Sequence, residues 1–76
     1  MNDAQRCRKN KWKVGDVLQD RDGRRLRLTA IGEKCVLAVE IFWGGEQDVE
    51  REWDLSLTRW RRIGRWNKRT RKVEGT

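Results

Sequence analysis

The sequence predicts a mainly β fold, either a small barrel or a strongly bent antiparallel sheet of four to five strands. Turn signals built on glycine separate short segments along the middle of the chain. Between those turns, apolar and polar side chains alternate in the period-two pattern of a strand with one buried face. A chain of 76 residues makes one domain with a small core, which five tryptophans help to fill.

The expected strands follow one another in order. The first begins within residues 14–18, and residues 20–23 form a turn in which Gly23 takes a positive φ. Residues 24–31 alternate apolar and charged side chains. Residues 35–43, rich in β-branched and aromatic side chains, make the central strand, and residues 46–53 make the next one.

The last of these strands carries an acidic row on one face, formed by Glu46, Asp48, Glu50 and Glu52. Arg25 and Arg27 lie on the polar face of the second strand, so we expect them to pair with the acids and set the register. A mixed-charge sheet face of this kind explains the acids better than a metal or catalytic cluster does.

Residues 54–64 are predicted to form a short helical element. Trp53, Leu57, Trp60 and Gly64 recur at helical spacing, with Asp54 as the N-cap and Gly64 as the C-terminal glycine. A 3₁₀ turn at residues 55–57 followed by a last strand fits the same residues.

The core is expected to form from apolar residues of the strands, with Cys35 as a small core residue and Trp60 more buried than Trp66. Its predicted members are Trp12, Val14, Leu26, Leu28, Ile31, Val36, Leu37, Val39, Ile41 and Trp53.

The charge divides the chain into three parts. The net charge is +7, and residues 6–13 and 55–73 carry many Lys and Arg side chains. Neither segment contains an acid. Few apolar residues lie at the ends, so residues 1–10 are predicted to be a flexible basic arm and residues 65–76 a flexible Trp/Arg-rich basic tail. Residues 11–64 are then the β domain.

No enzymatic site is predicted. The chain has no histidine, Ser56 is its one serine, and Cys7 and Cys35 lie far apart, so neither a general base nor a zinc ligand set is present. We expect no cofactor and no metal. The longest apolar run is residues 36–39, too short to cross a membrane, and the expected location is the cytoplasm.

Residues 12–17 (WKVGDV), residues 29–34 (TAIGEK) and the spacing of Trp53, Leu55 and Trp60 resemble small, mostly uncharacterised bacteriophage proteins with an SH3-like barrel. The similarity covers roughly residues 11–62. It implies a phage-encoded accessory protein that binds host or phage macromolecules inside a bacterial host, and it names no target. SH3-like barrels bind peptides, RNA or DNA, so the fold leaves the function open.

The basic ends predict nucleic-acid binding, because guanidinium groups form bidentate hydrogen bonds with phosphates and interleaved aromatic rings stack on bases. The candidate residues are Arg8, Lys9, Lys11, Arg59, Arg61, Arg62, Arg65, Trp66, Lys68, Arg69, Arg71 and Lys72.

Other interpretations of the same charge stay open. In one, the excess charge serves solubility alone. In the others, the tail adsorbs to an anionic membrane, which is the weaker option, or docks on an acidic host protein. Trp43 precedes Gly44 and Gly45 at a hairpin tip. It is either a lid on the core or an exposed contact for a protein partner, as in phage host-takeover or anti-defence proteins that modulate a host protein.

Overall fold

The computed structural model describes residues 1–75 and has one helix and six strands. Helix α1 is Asp3–Lys9, and the strands are β1 Asp16–Gln19, β2 Arg25–Ile31, β3 Val36–Ile41, β4 Arg51–Trp53, β5 Arg61–Asn67 and β6 Lys72–Glu74. All neighbouring strands are antiparallel, in the order β4-β3-β2-β1-β5-β6. The prediction of a mainly β fold is confirmed.

The strand count and the barrel were wrong. The sheet has six strands instead of four to five, and across residues 1–75 its edge strands β4 and β6 do not pair with each other, so the sheet is open. Two register shifts bend it, one between Val17 and Leu18 on β1 and one between Leu28 and Ala30 on β2. Such shifts increase local twist and curl a sheet toward one face.

The N-terminal segment is a helix instead of the predicted arm. The Asn2 side chain accepts a hydrogen bond from the Gln5 backbone N–H at 2.8 Å, and the Gln5 side chain accepts one from the Asn2 N–H at 2.9 Å. This reciprocal pair satisfies two N–H groups at the helix start. Ala4 and Cys7 on one face of α1 are fully buried, which fixes the helix against the sheet.

Residues 55–58 form turns, residues 59 and 60 are irregular, and the helix predicted for residues 54–64 does not form. The Asp54 carboxylate accepts hydrogen bonds from the N–H and hydroxyl of Ser56, which closes a local turn in place of a helix start. Leu57, expected on the inner face of that helix, is 82% exposed. The alternative, a last strand after the turn, is what forms, because β5 begins at Arg61.

The C-terminal segment also belongs to the sheet, which corrects the prediction of a separate tail. β5 runs through residue 65, where the domain boundary was placed, and β6 pairs with its second half at Trp66↔Val73. The Trp66 N–H donates to the Gly15 carbonyl at 2.9 Å. These backbone bonds join the C-terminal hairpin to the start of β1.

The main core lies on one face of the sheet, beneath α1 and residues 53–60. Its members are Cys7, Trp12, Leu18, Leu26, Leu28, Val36, Ala38, Trp53, Leu55 and Trp60, with Ile31 packed against them. Of the predicted core, Leu37 is only half-buried and Val14 is exposed, because Val14 lies in the turn before β1. Cys35 is exposed too, and Cys7 is the buried cysteine.

Candidate nucleic-acid interface

The opposite face of the sheet, which we call the basic face, carries Arg25 and Arg27 from β2. Both side chains lie opposite Leu26 and Leu28 of the core face, as the alternation along a strand requires. On β3 their register partners are Ile41 and Val39, which are buried. The basic face therefore has an apolar floor with cationic side chains above it.

Two segments wall this face, the loop at residues 42–47 after β3 and the turn at residues 68–71 between β5 and β6. Together with the strands they enclose two adjoining depressions of about 540 and about 480 Å³, which we call the groove. The walls approach each other closely, since a Cβ added to Gly45 would lie 3.4 Å from the Arg71 carbonyl oxygen. Besides backbone at residues 44 and 45, the groove is lined by Arg25, Arg27, Ile41, Trp43, Glu46, Gln47, Trp66, Lys68, Thr70, Arg71, Lys72 and Val73.

Trp43 stands at the first wall and is 82% exposed. Gly44 and Gly45 after it have φ of 99° and 86°, which glycine adopts without a Cβ clash, and this conformation turns the chain at the wall. The Arg25 guanidinium carbon lies 4.5 Å from the centre of the Trp43 ring, and the same guanidinium donates to the Phe42 carbonyl at 3.2 Å. The ring is thus held by a cation–π contact on one side. Of the two options for Trp43, the structure has the exposed one.

The second wall is organised by Asn67. Its side-chain oxygen accepts from the backbone N–H groups of Arg69 and Thr70, and its carbonyl accepts from the Arg71 N–H at 2.8 Å. Arg71 adopts φ of 54°, which closes the turn and places this residue in the groove lining. Trp66 is partly buried between the wall and the floor, and it is more exposed than Trp60, as the sequence predicts.

Within residues 1–75, neither Arg25 nor Arg27 forms an ion pair with the acidic row. β3 lies between β2 and β4, and Glu46, in the loop after β3, lines the same depression as Arg27. Arg27 instead donates to the Gln47 side chain at 2.7 Å. Among the residues lining the groove, five cationic side chains face one carboxylate, that of Glu46. The groove therefore has a positive potential that attracts anionic ligands.

Two of the predicted binding residues form ion pairs with one buried carboxylate. Arg62 Nε lies 3.2 Å and Arg65 Nε 4.0 Å from the same carboxylate oxygen of Asp16, whose side chain is 4% exposed. The other Asp16 oxygen accepts from the Lys13 N–H at 2.9 Å. These two arginines neutralise a buried acid that ties β5 to β1.

The remaining predicted residues lie elsewhere. Arg59 and Arg61 border a third depression of about 310 Å³ beside Trp60 and the turn after β1, and Arg69 is exposed in the turn of the second wall. Arg8 donates to the carbonyls of residues 32 and 33 at the β2–β3 turn, while Lys9 and Lys11 are exposed. The groove lining includes Trp66, Lys68, Arg71 and Lys72 from the C-terminal set and none of the N-terminal set.

Sequence reasoning missed Arg25 and Arg27 as part of the groove lining. The alternation along β2 placed both on a polar face, but the acidic row supplied an apparent partner. It also treated Trp43 and Trp66 as members of two different sites. They line one depression because β5 and β6 follow β1 in the sheet order and curl toward the loop after β3.

Both cysteine thiols have raised pKa values. Burial, reinforced by the Asp3 carboxylate, raises the pKa of the Cys7 thiol to about 11. A hydrogen bond with Glu52 raises the pKa of the Cys35 thiol from its ordinary value. Within residues 1–75, no group of three His, Cys, Asp or Glu side chains is placed to hold a metal ion, and no helix has the length and apolarity of a membrane span.

A family model described as "Domain of unknown function (DUF7241)" matches residues 1–65 of the chain. The match covers α1, β1 to β4 and the first part of β5. No curated protein and no solved structure matches the chain.

Proposed function

Because the chain belongs to the DUF7241 family, whose description assigns no activity, we propose a function from the groove itself. The protein is a non-enzymatic module that binds nucleic acid without strong sequence specificity. One observation carries the proposal: Trp43 and Trp66 line the same depression as Arg25, Arg71 and Lys72. Aromatic faces among cations are what bases and phosphates require.

The chemistry of the lining supports an anionic, base-containing ligand. Arginine guanidinium groups donate in a fork that fits phosphate oxygens, and lysine supplies a mobile point charge. The ring faces of Trp43 and Trp66 offer stacking of about 1–3 kcal/mol per base. Every base has a π-face, so this mode of binding tolerates any sequence.

The rest of the fold supports low sequence specificity. The one helix among residues 1–75 has seven residues, and Ala4 and Cys7 bury one of its faces in the core. Reading base edges in a major groove takes an exposed helix or a two-stranded ribbon with several polar side chains. The proposal therefore assigns affinity to phosphate contacts and stacking.

The decisive experiment measures binding to labelled oligonucleotides over a range of salt concentrations. Log K should fall by about 0.7–0.9 per phosphate neutralised for each unit of log salt. The double variant Lys68→Gln/Lys72→Gln removes two charges from the groove lining, and Lys9→Gln/Lys11→Gln removes two exposed charges away from it. We expect the first pair to weaken binding and flatten the salt slope, and the second to change both much less. Equal effects of the two variants would contradict a groove site.

A second candidate function rests on the exposure of Trp43. A tryptophan that is 82% exposed is typical of protein-binding hot spots, which are enriched in this residue. In this proposal, which the bacteriophage resemblance suggests, the protein acts in the cytoplasm of a bacterial host and modulates a host protein directly. Capture from bacterial lysate before and after nuclease treatment separates the two functions. A partner that survives nuclease favours the protein target, and one lost with the nucleic acid favours the first proposal.

A further inference from the structure

We infer that the ligand of the groove is single-stranded nucleic acid, with an unpaired base stacked on Trp43 and another aromatic contact at Trp66. This inference rests on the proposed function and narrows its substrate class. Three features of the groove support it: the open faces of the rings, the shape of the groove and the charges that line it.

Trp43 keeps one ring face open to a ligand. Arg25 sits 4.5 Å from the ring centre on one side, yet the residue keeps 82% of its surface exposed. The other ring face is therefore free to receive a flat group. The guanidinium also holds the ring in place before any ligand binds, which lowers the entropy cost of ordering this side chain on binding. A base on the open face completes a layered stack of base, indole and guanidinium.

A duplex cannot make that stack. In a double helix each base is covered on both faces by its neighbours, and only base edges and phosphates are presented outward. Unpaired bases can be splayed out and stacked on aromatic side chains. The two tryptophans therefore add binding energy for a single strand and none for an intact duplex.

The shape of the groove also favours a single strand. Arg27 and Ile41 lie on the floor between two walls, and the walls approach each other where Gly45 lies against the Arg71 backbone. These walls bound the two depressions of about 540 and about 480 Å³, and we expect the backbone and bases of one strand to enter them. A duplex would contact the rim cations only.

The charge of the groove lining favours an anionic ligand. Paired tryptophans also form cages for quaternary ammonium groups, which are cationic. Here five cationic side chains and one carboxylate line the groove, so a cationic ligand is repelled from it. The lining selects a ligand that combines flat aromatic groups with negative charge, as an oligonucleotide does.

The test uses the full chain and an oligonucleotide of about 12 nucleotides, within the site sizes of small single-strand-binding modules. Binding is measured by fluorescence anisotropy at low salt for the single strand and for the same strand annealed to its complement. Trp43→Ala and Trp43→Leu remove the ring, and Trp43→Phe keeps an aromatic face. Leu57→Ala is the matched control, because Leu57 is also 82% exposed and does not line the groove.

We expect the wild-type chain to prefer the single strand. Trp43→Ala and Trp43→Leu should each weaken that binding about 5- to 150-fold, as the loss of one stacked base predicts. Trp43→Phe should recover most of it, and Leu57→Ala should leave it unchanged. None of the four should alter duplex binding by more than about twofold.

Two results would overturn the inference in different ways. Equal or tighter duplex binding that is insensitive to Trp43 would refute the single-strand ligand and leave the proposed nucleic-acid binding intact. Failure to bind either form at low salt, with a normal circular dichroism spectrum, would refute the proposed function and this inference together.

Discussion

Asp16 on β1 and Arg62 on β5 form an ion pair between these neighbouring strands of the sheet, with Oδ1 and Nε 3.2 Å apart. The Asp16 side chain is 4% exposed and that of Arg62 29%, so water screens the pair only from the arginine side. Lys13 N–H and Arg65 complete the surroundings of the carboxylate. The pair therefore links the turn before β1 to the C-terminal hairpin.

Asp16→Asn is expected to lower the free energy of unfolding by about 1–3 kcal/mol. Removing one partner of a buried pair costs about 3–5 kcal/mol, and partial exposure of Arg62 reduces that cost. Urea denaturation measures the change. Asp22→Asn, at an exposed turn position, should stay within about 0.5 kcal/mol of wild type. Equal stability of the two variants would show that Asp16 contributes nothing as a charge.

Truncation after Gly64 is expected to abolish or strongly lower the thermal transition. It removes Arg65 from the Asp16 carboxylate, the Trp66 hydrogen bond to Gly15, and all of β6. A 76-residue domain has only about 4–11 kcal/mol of stability in total. Differential scanning calorimetry of the truncated chain provides the measurement. An unchanged transition would support the flexible tail that the sequence predicts for residues 65–76.

Gly64→Ala is expected to displace β6. An added Cβ would lie 2.8 Å from the Glu74 carbonyl carbon and 2.9 Å from Val73 Cγ1, so the two strands must separate. Overpacking of this kind costs about 1–3 kcal/mol, and Tm should fall by roughly 4–8 °C for each kcal/mol. Groove binding should weaken as well, because Lys72 and Val73 move with β6.

Gly23→Ala is the control for that substitution. Its φ is 86°, but an added Cβ meets nothing within 4 Å. Only the backbone strain of about 1 kcal/mol remains, and ligand binding should be unaffected. If Gly23→Ala reduced binding as much as Gly64→Ala does, general loss of stability would explain both results and β6 would have no specific part in the groove.

The two thiols are expected to differ in reactivity. Cys35 is exposed and Cys7 is fully buried, so the native chain should take up one equivalent of an alkylating reagent and the denatured chain two. The Glu52 hydrogen bond raises the Cys35 pKa, which lowers its thiolate fraction. Glu52→Gln should therefore speed the alkylation of Cys35 near pH 8. A rate unchanged by this substitution would contradict the Glu52 contact.

Cys7 also predicts how stability depends on pH. Its pKa is raised from 9.0 to about 11 in the folded chain, so between these values the native state holds a proton that the unfolded state has lost. Stability from this group is complete below about pH 9 and declines as pH rises toward about 11. Cys7→Ala should flatten that part of the stability profile, measured by urea denaturation. A parallel profile would rule out a contribution from Cys7.

The sequence predicts the parts of this fold that depend on local pattern. Leu26 and Leu28 alternate with Arg25 and Arg27, and the period-two rule assigned their faces as the structure has them. The signal for α1 was present too, since Asn2 and Gln5 have the spacing of a capping box. The many cations of residues 6–13 nevertheless predict disorder. The helix is held by the burial of Ala4 and Cys7 against the sheet, a non-local contact that local pattern does not reveal.

The non-local parts could not be predicted. Trp53, Leu57 and Trp60 have helical spacing, but the Asp54 side chain satisfies the backbone in a turn, and the spacing has no structural meaning. The groove depends on strand order, which local pattern does not encode. Only the placement of β1 between β2 and β5 brings the C-terminal cations to the face that Arg25 occupies.

That strand order also bears on how the protein is made. β1 forms early in the chain, yet one of its two neighbours is β5, through pairs such as Val17↔Gly64. During synthesis the N-terminal helix and β1 to β4 emerge from the ribosome first, when one side of β1 has no strand partner and Asp16 still lacks Arg62 and Arg65. Long-range pairing of this kind forms slowly and exposes strand edges while it is incomplete. Folding of this sheet must therefore be completed after β5 and β6 have been synthesised, when these last strands add to the free side of the first.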